Sequence, residues 1–208
     1  MPKIFSWLPR SLAASLAVVS VLASAAWAQQ SPTPTRIRGT IESIDGKTMN
    51  IKTREGTDVK VNMTDDISVI GIAKTSLSEI KQGSYIGVSA MPQPDGSQKA
   101  VAILIFPEAM RGVGEGHRPW DLEANSTMTN ATVAEQVAGT DGQTVTVKYK
   151  DGDKKILVTP ATIIVTYKKS AASDLKAGQK IFVAAAKKLD DGTLEAPNVA
   201  YGDVGVWR

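Results

Sequence analysis

The chain has 208 residues, with 24 basic and 21 acidic side chains, a formal net charge of +3 and no cysteine. The missing cysteine excludes disulfides, thiolate catalysis and cysteine-based zinc sites together. Residues 1–28 hold two basic residues and no acidic one, which leaves 22 basic against 21 acidic in the remainder; that balance is no electrostatic footprint for nucleic acid.

The N-terminus reads as an export signal. Lys3 and Arg10 form a positive region, Ser11 to Ala26 is an uncharged run of apolar and small residues, and Ala26-Trp27-Ala28 supplies the small-x-small cleavage pattern. The run is shorter than the ~20 residues a spanning helix needs, which disfavours an uncleaved anchor. No Arg-Arg pair precedes it, so the general export route is expected, with cleavage after Ala28 and a periplasmic or secreted product starting at Gln29. Residues 29–36, with Ser31-Pro-Thr-Pro-Thr35, are expected to form a disordered lead-in. About 180 residues remain for one or two compact domains.

Those residues contain an internal repeat, seen when the chain is slid against itself by about 96 positions. Asp45-Gly46-x-Thr48 meets Asp141-Gly142-x-Thr144, Met49–Lys52 meets Val145–Lys148, and Glu55-Gly56 meets Asp151-Gly152. Ser78–Lys81 with Gly83 meets Ser173–Lys176 with Gly178 after a one-residue slip, and Asp95-Gly96 meets Asp191-Gly192.

In the first copy, strands are predicted over Ile37–Ile44, Thr48–Thr53 and Asp58–Met63, the last extending through a bulge towards Ile70. The Asp45-Gly46 step marks a hairpin, and alternation of Met49 and Ile51, then Val59, Val61 and Met63, puts one face on a core. Ser76-Leu-Ser-Glu79 has the spacing of a capping box and predicts a helix of one or two turns, with Gly83 after its end. Tyr85–Met91 and Lys99–Phe106 complete the copy around a Pro94-Asp95-Gly96 turn. The second copy reads as Ala134–Thr140, Thr144–Tyr149, Lys154–Thr159 (extendable to Tyr167), a short helix near Ser173–Lys176, Lys180–Ala186 and Leu194–Tyr201.

Three strands, a short helix and two strands is the element order of the OB-fold. The expected fold is therefore all-β: two tandem OB-like five-stranded barrels over residues 37–107 and 134–208, each with one short helix between strands three and four. A sandwich of two open sheets is the alternative. An outer-membrane barrel is disfavoured, because Glu42, Lys52, Lys60, Lys148 and Lys150 occupy faces that would touch lipid.

The strand pattern, Met91-Pro92-Gln93-Pro94-Asp95-Gly96, the stretch Phe106-Pro107-Glu108-x-Met110-Arg111-Gly112 and Gly114–Asp121 resemble a group of small exported alphaproteobacterial proteins of unknown function. These carry an OB-like domain singly or in tandem. The resemblance spans most of the chain after the signal and implies no established activity. Some relatives carry a metal-transporter permease label, yet nothing after residue 28 has the length and apolarity of a spanning helix.

Residues 108–133 belong to neither repeat. They hold Gly112, Gly114 and Gly116 in alternation, the chain's single His (His117), Arg118 and Trp120. A long segment of this kind is usually functional or disordered. Glu115, His117 and Asp121 could surround a metal, or give a His–carboxylate pair for acid–base work. They match no specific ligand spacing, and no nucleophile motif accompanies them. The alternative has Trp120 pinning the junction of two barrels, with Arg118 paired to Asp121 or Glu115. Arg111, Glu115, His117, Arg118, Trp120 and Asp121 are the candidate ligand or junction residues. The basic hairpin of Lys148, Lys150, Lys154 and Lys155 lacks the stacking aromatics of an oligonucleotide site and reads as a charged strand edge. The expected function is thus a non-enzymatic exported binding or scaffolding module for a ligand or protein partner, without a cofactor. A metal-dependent or His-assisted hydrolase sited on the insert is the second reading.

Overall fold

Strand formation follows the alternation. In the computed structural model, which describes residues 35–139, 142–203 and 205, the first hairpin joins β1 (Thr35–Asp45) and β2 (Thr48–Thr53), and β3 (Asp58–Lys74) follows. Met49 and Ile51 are buried between exposed or half-buried neighbours, and Val61 is fully buried on β3. The segment expected as an export signal, the expected lead-in as far as Pro34, and Thr140 and Asp141 of the second hairpin turn lie outside the described residues. Thr35 and Arg36, expected in the lead-in, belong to β1, where Thr35 lies opposite Ala186.

The remaining strands are β4 (Tyr85–Pro92), β5 (Gln98–Ile105), β6 (Gly116–Pro119), β7 (Thr127–Gly139), β8 (Gly142–Tyr149), β9 (Gly152–Val158), β10 (Ile163–Lys169), β11 (Lys180–Lys188) and β12 (Leu194–Tyr201). The predicted helices reduce to single 3-10 turns at Leu77–Glu79 and Ala172–Asp174. At the first, the Ser76 hydroxyl meets that of Ser78 at 2.7 Å and caps no backbone N–H, so the capping box does not form. No helix among the described residues is long and apolar enough to cross a membrane.

The all-β class holds, with a closed five-stranded barrel, but its membership departs from expectation. β1 pairs antiparallel with β2, β2 with β3, β3 runs parallel to β12, β12 pairs with β11, and β11 returns to β1. Three strands from the first half are thus closed by two from the second. A reciprocal circuit runs β7–β8–β9, then β5 and β4, then back to β7. Its parallel closure is thin, with Gln98 opposite Ile156 and Lys99 opposite Leu157. Residues 37–107 and 134–208 therefore do not close separate barrels. Their last two strands are exchanged.

The exchange reflects β3. After Met63 it does not reverse; it continues to Lys74 and pairs antiparallel with β10, Ile72 lying opposite Tyr167. β10 in turn runs parallel to β5. The β3–β10 seam joins the circuits into one sheet path, and the connection after β3 delivers Tyr85 to the other circuit. Each core consequently draws on both halves of the chain. Ile41, Met49 and Val61 pack with Ile181, Val183 and Val199, while Ile86, Val88 and Ile103 pack with Val133, Val145 and Ile156.

This pairing can be tested by cross-linking, since the chain has no native cysteine. Thr40 lies opposite Lys180, and directly opposed residues on antiparallel strands place their Cβ atoms ~4.5–5.5 Å apart, close to disulfide range. Thr40→Cys with Lys180→Cys should oxidise to an intramolecular disulfide in the monomer, seen as a mobility shift on a non-reducing gel. Barrels closed within each half would leave the two thiols free.

Candidate functional site

A cavity of about 220 Å³ lies between the circuits, over the β3–β10 seam. It is built from the outer faces of strands whose inner faces form the cores. On β1, Ile37 and Ile41 point to one core, so Arg38 takes the other face. Phe182, opposite Arg38 on β11, and Ala200, opposite Phe182 on β12, continue that wall. The facing wall comes from Gly87 and Ser89 on β4, Ala102 and Leu104 on β5, and Met128 and Asn130 on β7. Ile72, Val165 and Tyr167 of the seam complete the lining, with Phe106, Arg118 and Trp120.

Small residues at outward positions open this space. A Cβ on Gly87 would come within 2.8 Å of Asn130 Oδ1 and 3.0 Å of the Phe106 ring, so glycine lets both lie close over β4. Phe106 then bridges Tyr85 and Tyr167 at centroid distances of 5.3 and 5.6 Å, both tilted pairs that favour aromatic contact. Burial pushes the Tyr167 phenol up to about 12, so it stays neutral at the cavity wall.

At one end stands Trp120. Its ring meets Phe182 edge-on at 6.2 Å. The guanidinium of Arg36 lies 4.5 Å from the indole centroid, Arg38 5.4 Å and Arg118 5.8 Å. Arg38 also lies 4.5 Å over Phe182. Its side chain is only 4% exposed and pairs with Asp121 Oδ2 at 2.8 Å, with Arg36 at 3.9 Å from the same oxygen. Burial alone would raise the Asp121 carboxyl, but the Arg38 hydrogen bond and the Arg38 and Arg36 charges hold it below its ordinary value. Among the described residues, Arg38 Nε, Asp121 Oδ1 and Asn130 Oδ1 are buried without a hydrogen-bond partner.

The segment expected as an insert is a strap rather than a free linker. Its last part, Thr127–Val133, is already β7, and β6 pairs with it, His117 opposite Thr129. Gly112, Gly114 and Gly116 all have positive φ, which accounts for their alternation. Arg111 does not reach the cavity; it pairs with Glu108 and donates to Gly83 O and the Thr132 hydroxyl. Tyr85 and Asn130 donate to Val113 O, and Arg118 donates to Gly114 O. Further on, Arg54 donates to Asp121 O. The strap is fastened first to the β4–β7 side and then to β1 and its neighbours.

The proposed metal or acid–base constellation is not assembled. Glu115 accepts from the Lys150 backbone N–H, His117 Nδ1 meets the Thr129 hydroxyl at 2.8 Å, and Asp121 turns to Arg38. No group of three or more metal-ligating side chains occurs among the described residues. Nor does Arg118 pair with Asp121 or Glu115: it donates to Gly114 O, while Asp121 pairs with Arg38 and Glu115 accepts from the Lys150 backbone N–H. Of the six sequence-selected residues, Arg118, Trp120 and Asp121 converge at the cavity's end.

Residues 38–103 match the family described as Domain of unknown function (DUF5666). Nothing among the curated proteins or the solved structures matches the chain. The DUF5666 stretch runs from Arg38 on β1 to Ile103 on β5, so it contributes strands to both circuits and residues to both cavity walls. Arg38 and Asn130 escaped the sequence reading. The available signal was an Arg-x-Arg alternation, Arg36 and Arg38, on one face of a strand whose other face is aliphatic.

His117 gives the site a pH signature. Burial, then the positive charges of Lys154 and Arg118, hold its imidazole below the usual 6.5. The unfolded chain therefore binds a proton at His117 more readily than the folded chain, so stability rises with pH through this window. The contribution is complete above about 6.5 and is lost as pH falls from there towards the folded value. Urea unfolding at pH 5, 6, 7 and 8 should show this slope in the parent and a flatter one in His117→Gln. Parallel curves would refute the assignment.

Proposed function

We propose that this chain is an exported, non-enzymatic binding module that holds a small ligand in the cavity between its circuits. The observation that carries this reading is the cavity. It is walled by aromatic and small side chains, Trp120 among them, and lined also by Arg38, Arg118 and Asn130. Apolar walls with a few placed polar groups are the usual composition of small-molecule sites. Buried polar atoms without partners are costly to a folded chain, by ~1–3 kcal/mol each, unless something else satisfies them.

The architecture is read here as a duplicated OB-like unit with its last two strands exchanged. Support comes from the register. Gly39 opposite Ile181 corresponds to Ala131 opposite Ile86, and Ile41 opposite Ile51 corresponds to Val133 opposite Val147. A bulge follows Ile41 in one copy and Val133 in the other. The same correspondence makes Arg38 the counterpart of Asn130, and Phe182 that of Gly87. The two cavity walls are then one ancestral surface that has diverged, a guanidinium and a ring on one side, an amide and open backbone on the other.

Export follows from Lys3, Arg10, the apolar run and Ala26-Trp27-Ala28. Protein recovered from the periplasm or medium should have a mass that starts at Gln29, within two residues. An intact precursor recovered from washed membranes would contradict the periplasmic or secreted assignment.

Ala184 lines the cavity yet is exposed, so a larger side chain there fills space without disturbing a core. Ring-sized fragments screened by NMR should shift signals of Ile72, Ala102 and Ala200 in the parent. Ala184→Leu should abolish those shifts. A screen in which fragments act elsewhere, or act equally on the Ala184→Leu protein, would place binding outside the cavity.

A further inference from the structure

Resting on the reading of the cavity as the binding site, we propose that its ligand class is a small amphipathic monocarboxylate: a ring-sized apolar body carrying one anionic head at the Trp120 end.

Size comes first. A dry cavity of ~150 Å³ lined by aliphatic and aromatic side chains accommodates benzene. At about 220 Å³, this one has room for a single ring and a short substituent. Phe106, Tyr167 and Phe182 offer flat apolar surface to such a body.

Charge comes second. The ionisable lining groups that carry charge at neutral pH are Arg38 and Arg118, and no carboxylate lines the cavity. Asp121, outside the lining, pairs with Arg38 and lies within reach of Arg36. Three guanidinium groups thus surround Trp120 against one carboxylate, leaving uncompensated positive charge where Arg118 meets the cavity. Arg118 is itself pulled below its ordinary value by burial and by the Arg36 charge, as expected of cations crowded together without enough anions. A guanidinium in a sheltered site favours a carboxylate over a neutral acceptor, because charge-assisted hydrogen bonds are roughly twice as strong.

The third observation is the unmet bonding capacity. Arg38, 5% exposed, keeps Nε–H without an acceptor, and Asn130, 6% exposed, keeps Oδ1 without a donor, among the described residues. Both residues line the cavity. A carboxylate supplies the acceptor that Arg38 Nε–H lacks. Asn130 Oδ1 is an acceptor and cannot pair with a carboxylate oxygen, and the amide N–H given to Val113 O fixes which way the amide faces. It instead accommodates a hydroxyl or N–H substituent on the ligand body.

A matched set of probes tests the class: phenylacetate, neutral phenylacetamide and cationic 2-phenylethylamine, titrated calorimetrically into the mature chain. Phenylacetate should bind at least tenfold more tightly than the amide, with no heat from the amine. Arg118→Gln should bring the acid down to the level of the amide; Arg118 is the better target because removing Arg38 would strand Asp121. Ala184→Leu should abolish binding of both. Amide or amine binding as tight as the acid, still blocked by Ala184→Leu, would overturn the ligand class while leaving the cavity as a binding site. Acid binding that survives Ala184→Leu would overturn the cavity reading and this inference with it. Absence of binding by all three probes to millimolar concentration would also overturn the ligand class.

Discussion

Strand β3 runs for 17 residues without reversing direction, through a register break between Met63 and Ser68. It cannot serve one small barrel along that whole length. Its start pairs with β2, Val61–Met63 and Ser68–Gly71 lie against β12, and only Ile70–Lys74 reach the seam with β10. The connection that follows therefore opens beside the other circuit, and β4 and β5 must pair there. In the second half, strand pairing is interrupted between Val158 and Ile163, where Pro160 can donate no ladder hydrogen bond. There the chain breaks into β9, which pairs with β8 and β5, and β10, which pairs with β3 and β5. Pro197 sits at the matching irregularity of β12, where the register against β3 shifts between Ala196 and Asn198. The outer faces of the two circuits are brought together by this crossing, and the cavity is the gap left between them.

Trp120 is held there by charge as much as by packing. Cation–π contacts are worth ~0.5–1 kcal/mol when exposed and ~2 or more when desolvated. With Arg38 almost wholly buried, its contacts to Trp120 and Phe182 belong nearer the upper end. Arg38 would be costly in that position without Asp121, and Asp121 reaches it only because the strap from Gly112 to Ser126 is pinned at both ends. The Trp120 backbone N–H donates to Ser126 O and the Ser126 hydroxyl returns to Trp120 O, which fixes the turn that presents Asp121. Sheet, strap and ion pair are thus mutually dependent.

Local structure was far more legible than partnership. β2 and β12 begin and end where alternation and turn residues place them, and β4 differs by one residue. Alternation reports which face of a strand is buried; it carries no information about which strand lies alongside. The exchange between halves was invisible for that reason, since either arrangement buries the same side chains. β7 began earlier than expected because Thr127–Asn130 looks like loop composition. Those polar residues are nonetheless buried or half-buried, Thr129 meeting His117 and Asn130 meeting Val113 O. Trp120 stood out as a large aromatic in a glycine-rich segment. Arg38 did not, because a single arginine on the polar face of a strand is ordinary until another sheet covers it. Glu115, His117 and Asp121 are near in sequence, but Gly116 at positive φ and the extended strand β6 carry them to different neighbours.

The exchange also determines what a bound ligand would do. Each core contains strands from both halves, so neither circuit can lose its own strands without opening the other. The many pairings between residues distant in sequence make for a high contact order, which slows folding. A ligand in the cavity would touch β1, β11 and β12 on one wall, β4, β5 and β7 on the other, and the seam beneath. Binding energy gained only in the folded state adds directly to the stability of that state. In a chain of tandem, self-contained barrels it would add to the docking of one on the other. Here, because the walls are made of exchanged strands, it adds to the stability of both cores at once.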